Sequence, residues 1–454
     1  MKNYWVLTLL LAGEAAAATI HVNNVTGNDT RTGASEAEPV ATLRRAVQLA
    51  QAGDTIVLAS TGVPFLESLS ITSGHGGKPD APLVVEGHGA VLTGLRDVPP
   101  DAWQRLANGT FFQPLRRFGA NNPYLMGCKG RIPSSSGGLS TLAPGQHYWA
   151  TNGVYFLPEP GRTPSDYALK GLLLGEGVAI RDASYITVRN LTCEYFSNDG
   201  FNVHGESRGL LFENIVSRHN GDDGFSIHED VGAIVRHAHL YDNDYGIQDI
   251  NASQSIYNGV LVESNRLAGV HLIGGLRSLV DARVRNNNGP QVWICSGSAK
   301  HLGFTENNPL ARGVCFIKNC VIQGGDYGLR VSRGGSAVIS QSVISGCATG
   351  LLADAGSCIH MLRTVINGCG DTELAVHNPA EAALSGNLYY PGRFRWGTAA
   401  FGPDAWTGYQ KASGQDADSS IAPPQFNDQG LLRQTVSAPR SHTLPSPGLV
   451  APLP

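Results

Sequence analysis

The chain has 454 residues, a formal net charge of −4, 56 glycines and only 15% charged residues. That near-neutral balance excludes the clustered basic surface that nucleic acid demands. It also supplies no general attraction for a polyanion, so an acidic ligand has to be held locally.

Residues 1–18 read as a signal peptide: Lys2 is the positive region, Tyr4 to Ala12 the apolar core, and Ala16-Ala17-Ala18 the small-residue cleavage site. The apolar run is too short to span a membrane, and no other stretch approaches that length. The expectation is a secreted, periplasmic or cell-surface protein, with no membrane span and no oligomer. Residues 19–95 read as an N-terminal cap and the first rungs of a repeat. A helix is expected over Pro39 to Ala52, with apolar residues at Leu43, Ala46, Val47 and Ala50 and Gly53 as its stop. Residues 96–176 are rich in Trp, Pro and Gly, lose the repeat and read as an inserted side lobe.

The strongest signal lies in 177–379. Asn198, Asn220, Asn243, Asn265 and Asn287 recur at spacings of 22, 23, 22 and 22. Shortly after them come Gly200, Gly224, Gly246, Gly269 and Gly289, four of which precede Phe201, Phe225, Ile247 and Val270. A period of this length with β-type alternation predicts an all-β, right-handed, single-stranded parallel β-helix with a helical cap and the inserted lobe. Asn suits the left-handed conformation of a tight turn, and stacked amides can hydrogen-bond from rung to rung. Residues 290–327 read as an expanded loop or an irregular double rung. From 380 the repeat fades into an irregular cap and a Pro-rich tail over 422–454. Cys347 and Cys369, one repeat apart, are expected to stack as reduced thiols within the coil.

With rungs ~4.8 Å apart, Asp199 stacks on Asp222 and Asp223, and Asp244 lies one rung beyond. Carboxylates this close repel unless a cation intervenes, and calcium takes 6–8 oxygens that neighbouring rungs can supply. Outward positions beside the cluster are Asn202, Ser226 and Gln248, with His204, His228 and His271 as candidate bases. Arg266 and Arg277 are candidate partners for sugar carboxylates, and Trp293 and Tyr245 are candidate sugar platforms.

The opening His21-Val22-Asn23, Gly27-Asn28-Asp29 and Gly53-Asp54-Thr55-Ile56 resemble the start of secreted right-handed β-helix polysaccharide-active proteins. Asn198-Asp199-Gly200-Phe201, followed one rung on by Gly221-Asp222-Asp223-Gly224-Phe225, is similar to the calcium-site motif of the family 9 pectate lyases. The resemblance implies calcium ligands at Asp199, Asp222 and Asp223, and β-elimination on an acidic, uronic-acid-containing polysaccharide. Ser226 stands where the family has a fourth ligand, and no Lys lies between Lys170 and Lys300 to match the family base. Two other readings are carried forward. One is a glycoside hydrolase pairing Asp223 with Glu229, Asp230 or Asp249. The other is a non-catalytic carbohydrate-binding solenoid with structural calcium.

Overall fold

A computed structural model describes residues 17–115, 124–297, 309–377 and 381–425. Residues 1–16 of the expected signal peptide and the Pro-rich tail beyond 425 fall outside these residues. The described chain coils into a parallel β-helix with three strands per turn. One face is a 12-stranded sheet, here called the front sheet. It runs from Leu69–Thr72 through Val178–Arg181, Phe201–His204, Asp223–Ile227, Tyr245–Ile250, Ala268–Ile273, Pro290–Cys295 and Tyr327–Ser332 to Thr372–Val376 and beyond. Along it Phe201, Phe225, Ile247, Val270, Val292, Leu329, Leu351 and Leu374 lie in register. All are buried, because no single turn can cover its own apolar side.

The register is held by a buried amide ladder. The backbone N–H and Nδ2 of Asn220 both donate to Asn243 Oδ1, at 3.1 and 2.9 Å. Asn243 does the same to Asn265, and Asn265 to Asn287. The ladder ends on Gln291 Oε1, which takes both donors of Asn287. At its other end Phe196 N–H donates to Asn220 Oδ1 at 3.0 Å. Asn198 is therefore not a member, since its rung presents Phe196 at that position. The left-handed residue is also not the ladder Asn but the one before it: His219, Asp242, Ser264 and Asn286, with φ between 52 and 58°. That turn aims the following Asn inward, where its Oδ1 takes the backbone N–H and one side-chain N–H of the Asn on the preceding rung. Gly289 is likewise outside the stacked column, and Gln291 pairs there instead.

Val292 pairs directly with Leu329, so their strands are adjacent in the front sheet, and residues 298–308, on which the expectation for 290–327 rests, lie outside the described residues. All eight cysteines are free. Cys347 and Cys369 are buried on successive rungs and share a hydrogen bond between their thiols.

The cap helix is shorter than its apolar pattern, Leu43–Leu49, because Thr42 caps it by accepting from Arg45 N–H. Its Leu43, Ala46 and Val47 close one end of the core. At the other end a helix over Trp406–Ser413 buries Tyr409, whose ring stacks on Phe394 at 4.2 Å. Residues 95–172 leave the coil and form two four-stranded sheets around their own core of Trp103, Leu125, Trp149, Val154, Phe156 and Tyr167. Tyr124 Oη ties this lobe to the His219 carbonyl on the coil.

The ladder predicts a stability asymmetry. Asn243→Ala strands two buried donors of Asn220 and should cost ~2–5 kcal/mol in denaturant unfolding. Gln248→Ala, on an outward position, should cost under ~1 kcal/mol. Equal losses would contradict the ladder's role.

Candidate functional site

The outward side of the front sheet carries the predicted chemistry. Side chains alternate in and out along each strand, so one outward column reads Asn202, Ser226, Gln248, His271, Trp293 and Arg330 in register. A second, two residues later, includes His204 and His228.

Asp199 and Asp223 sit at the head of this face and are both buried, with 2% and 3% exposure. Asp199 Oδ1 accepts the Asp223 backbone N–H at 3.0 Å, and Asp223 Oδ2 accepts the Ser226 hydroxyl at 2.9 Å. Asp222 is half-buried beside them. Burial, then the neighbouring carboxylates, push the Asp199 and Asp223 carboxyls well above the usual range. Glu176, where the chain returns from the lobe, reaches Asn202, whose Nδ2 donates to its Oε1 at 3.2 Å. Asp223 Oδ1 and Asn202 Oδ1 are buried acceptors without a hydrogen-bond partner.

Three expected members are placed elsewhere. Asp244 is ion-paired with Arg266 at 2.6 Å, and that guanidinium also donates to the Asp242 and Asn220 carbonyls. Arg266 thus braces neighbouring turns and has little left for a sugar. Arg277 points into the coil, where its fully buried guanidinium meets Asp249 at 2.7 Å and the Ser253 hydroxyl. Asp249 also accepts from Tyr257, so neither Arg277 nor Asp249 faces a substrate. Alternation along their strands puts Asp249 on the side of Ile247 and Arg277 on the side of Leu279, and burial there is tolerated because the two charges pair.

The three histidines fare differently. His271 lies between Tyr245 and Trp293, at ring distances of 5.3 and 4.3 Å. Burial and then Arg333 push it down to about 4. It forms the middle of an aromatic platform. His228 is also pushed down to about 4, by burial and by His204, and its Nε2 meets Ser226 Oγ at 3.0 Å. His204 stacks on His228 and pairs with Glu229.

Past the platform lies a cleft of about 610 Å³, lined by Trp293, Arg330, Ser332, Arg333, Asp354 and His377. Trp293 Nε1 donates to Ser332 Oγ at 2.9 Å, Arg330 lies 5.3 Å from the Trp293 ring, and Arg330 pairs with Asp354 at 3.2 Å. Arg333 is exposed and holds φ of 52°, an uncommon conformation for a long side chain. Sequence reasoning missed Arg333, Asp354 and His377. They follow strand ends in the same frame as His228, but lie across the long loop that interrupts the period.

Residues 176–310 match a family model described as a right handed beta helix region. No curated protein matches the chain significantly. Similar solved structures include a complex of XylC with xylose, at 11% identity and TM-score 0.57, covering 82% of this chain and 75% of that one. Another is a glycoside hydrolase at 12% identity and TM-score 0.50, covering 84% and 95%. Pectate lyase Pel9A is 13% identical at TM-score 0.43, covering 94% and 89%. The matched family model and the first two of these structures establish the right-handed parallel β-helix.

The buried carboxyls make a testable link to pH. Their folded pKa values lie above the unfolded value of ~3.9, so their contribution is fully present below ~3.9 and is lost as pH rises through the folded value. Asp223→Asn should therefore melt higher than wild type at pH 8 in chelator, with the advantage vanishing by about pH 4. A difference that does not change with pH would contradict this.

Proposed function

We propose that the protein is an exported carbohydrate-active enzyme that lays a polysaccharide along the outward face of the front sheet and cleaves it at Asp199, Asp222 and Asp223. The carrying observation is a pair of buried carboxyls, Asp199 and Asp223, held toward the neutral form beside the half-buried Asp222. A neutral carboxyl beside an ionised one is the acid and base set that glycosidic cleavage uses. Asp223 protonates the leaving oxygen, Asp222 activates water or the anomeric centre, and Ser226 fixes the acid. The Tyr245–His271–Trp293 platform carries the sugar rings. Hydrolysis thus needs none of the strong base that His228 and His271, both near 4, fail to provide.

A second reading, calcium-assisted β-elimination on a uronic-acid polymer, is favoured by the two unpartnered buried acceptors, Asp223 Oδ1 and Asn202 Oδ1. With Asp199 and Asp222 they are an all-oxygen donor set suited to a hard cation. Calcium bound there supplies charge neutralisation at a sugar carboxylate. Asp199, Asp222, Asp223 and Asn202 hold it, and the platform orients the ring. Asp244, already paired with Arg266, is left out of this set.

The test is a panel of pectate, alginate, a glycosaminoglycan and neutral xylan, with and without chelator. Hydrolysis releases reducing ends without the ultraviolet absorbance of an unsaturated uronate, and chelator does not stop it. β-Elimination gives that absorbance and ends with chelation. Asp223→Asn should lower kcat by ~10²–10⁴-fold with a small change in KM. Full activity in that variant, or no product from any substrate, would overturn the proposed site.

A further inference from the structure

Next to the carboxyl cluster, on the same outward face, two imidazoles and a carboxylate converge without a part in the cleavage just described. His204 and His228 stand on successive rungs with their rings stacked 4.2 Å apart and only 7° from parallel. Glu229, the next residue, folds back over them. Its Oε2 accepts from the Gly205 backbone N–H at 2.8 Å and lies 3.1 Å from His204 Nδ1. One ligand atom from each of His204, His228 and Glu229 lies within 4.8 Å of the other two. The His204 and Glu229 side chains keep 21% and 49% exposure, so the cluster opens to the groove.

The backbone at Glu229 makes this arrangement harder to dismiss as a surface ion pair. On the two adjacent rungs the left-handed residue of the corresponding turn is Gly205 or Asn251, and one rung further out on each side it is Asp182 or Gly274. These types adopt the conformation cheaply. Glu229 holds it at φ of 60°, against its intrinsic preference. A half-exposed pair with one His offers little compensation in water. A carboxylate fixed over two imidazoles offers much more when all three share an ion.

We infer that His204, His228 and Glu229 form a binding site for a divalent transition ion of the zinc class, with its open position facing the groove. Two neutral imidazole nitrogens and one carboxylate oxygen are a donor set that zinc takes at ~2.0–2.2 Å, leaving a fourth position for water or a ligand oxygen. Nitrogen donors also separate this site from calcium, which prefers oxygen throughout. The ligand atoms have to close by about an ångström to reach tetrahedral spacing, and the exposed Glu229 and His204 have room to do so. Ser226, 3.0 Å from His228 Nε2 and hydrogen-bonded to Asp223, orients one ligand and joins the site to the carboxyl cluster. The open position lies where a sugar hydroxyl or carboxylate on the platform can enter. Metal binding does not depend on whether Asp223 cleaves anything.

The experiment uses the full chain, stripped with chelator, in a Cys358→Ser background. That change silences the other such cluster among the described residues, Cys358, His360 and Glu381. Cobalt(II) is followed by its visible absorption and zinc by calorimetry, with calcium in excess as competitor. One equivalent should bind and resist calcium. His204→Ala and His228→Ala should each weaken it ~10-fold or more. Glu229→Gly should weaken it equally while leaving the melting temperature unchanged or higher, because Gly suits the left-handed turn. No binding in the Cys358→Ser background, displacement by calcium, or losses below tenfold in these variants would overturn the site. Loss of cleavage in Asp223→Asn with zinc affinity retained bears only on the enzymatic reading.

Discussion

Everything on the outward face depends on the interlocked amides inside the coil. Each ladder Asn gives two donors to the next amide, so a rung can neither slide nor tilt without stranding buried polar groups. A slip of one residue would also turn every apolar side chain outward. The ladder runs from Phe196 to Gln291, and the carboxyl cluster, the histidine pair and most of the platform lie on these rungs. Rigid registry is therefore concentrated where side chains from different turns have to meet.

That registry sets the electrostatics of the groove. Asp199 and Asp223 are brought to hydrogen-bond distance through a backbone N–H, beside the irregular segment returning from the lobe, which carries Glu176. Water is excluded and like charges are close, so both carboxyls hold protons more tightly. Roughly four rungs away, ~19 Å at the usual strand spacing, Arg330 and Arg333 line the opposite end. The outward face thus runs from buried carboxyls at one end to arginines at the other, with an aromatic strip between.

The coil's interior is not wholly apolar. Arg277 and Asp249 form a buried ion pair supported by Ser253 and Tyr257. Removing one partner of such a pair leaves an uncompensated charge and typically costs ~3–5 kcal/mol, while the intact pair adds little net stability.

Periodic positions made the architecture legible from sequence. Phe201, Phe225, Ile247 and Val270 recur after glycine at a spacing that only a stacked coil can bury, and Asp199, Asp222 and Asp223 are adjacent in that frame. His204 and His228 could be paired on the same grounds. The frame could not say which charges would pair with one another. Arg277 and Asp249 went inward because each supplied the other's counter-charge, and Asp244 was taken by Arg266. Nor could it follow the register across the long loop after Cys295, so Arg333, Asp354 and His377 were invisible as neighbours of Trp293. Local periodicity determines which rungs exist and which positions stack, because burial repeats with the period. Pairing between side chains of different turns, and hence the composition of the site, is decided only when the coil closes and each charge finds its partner.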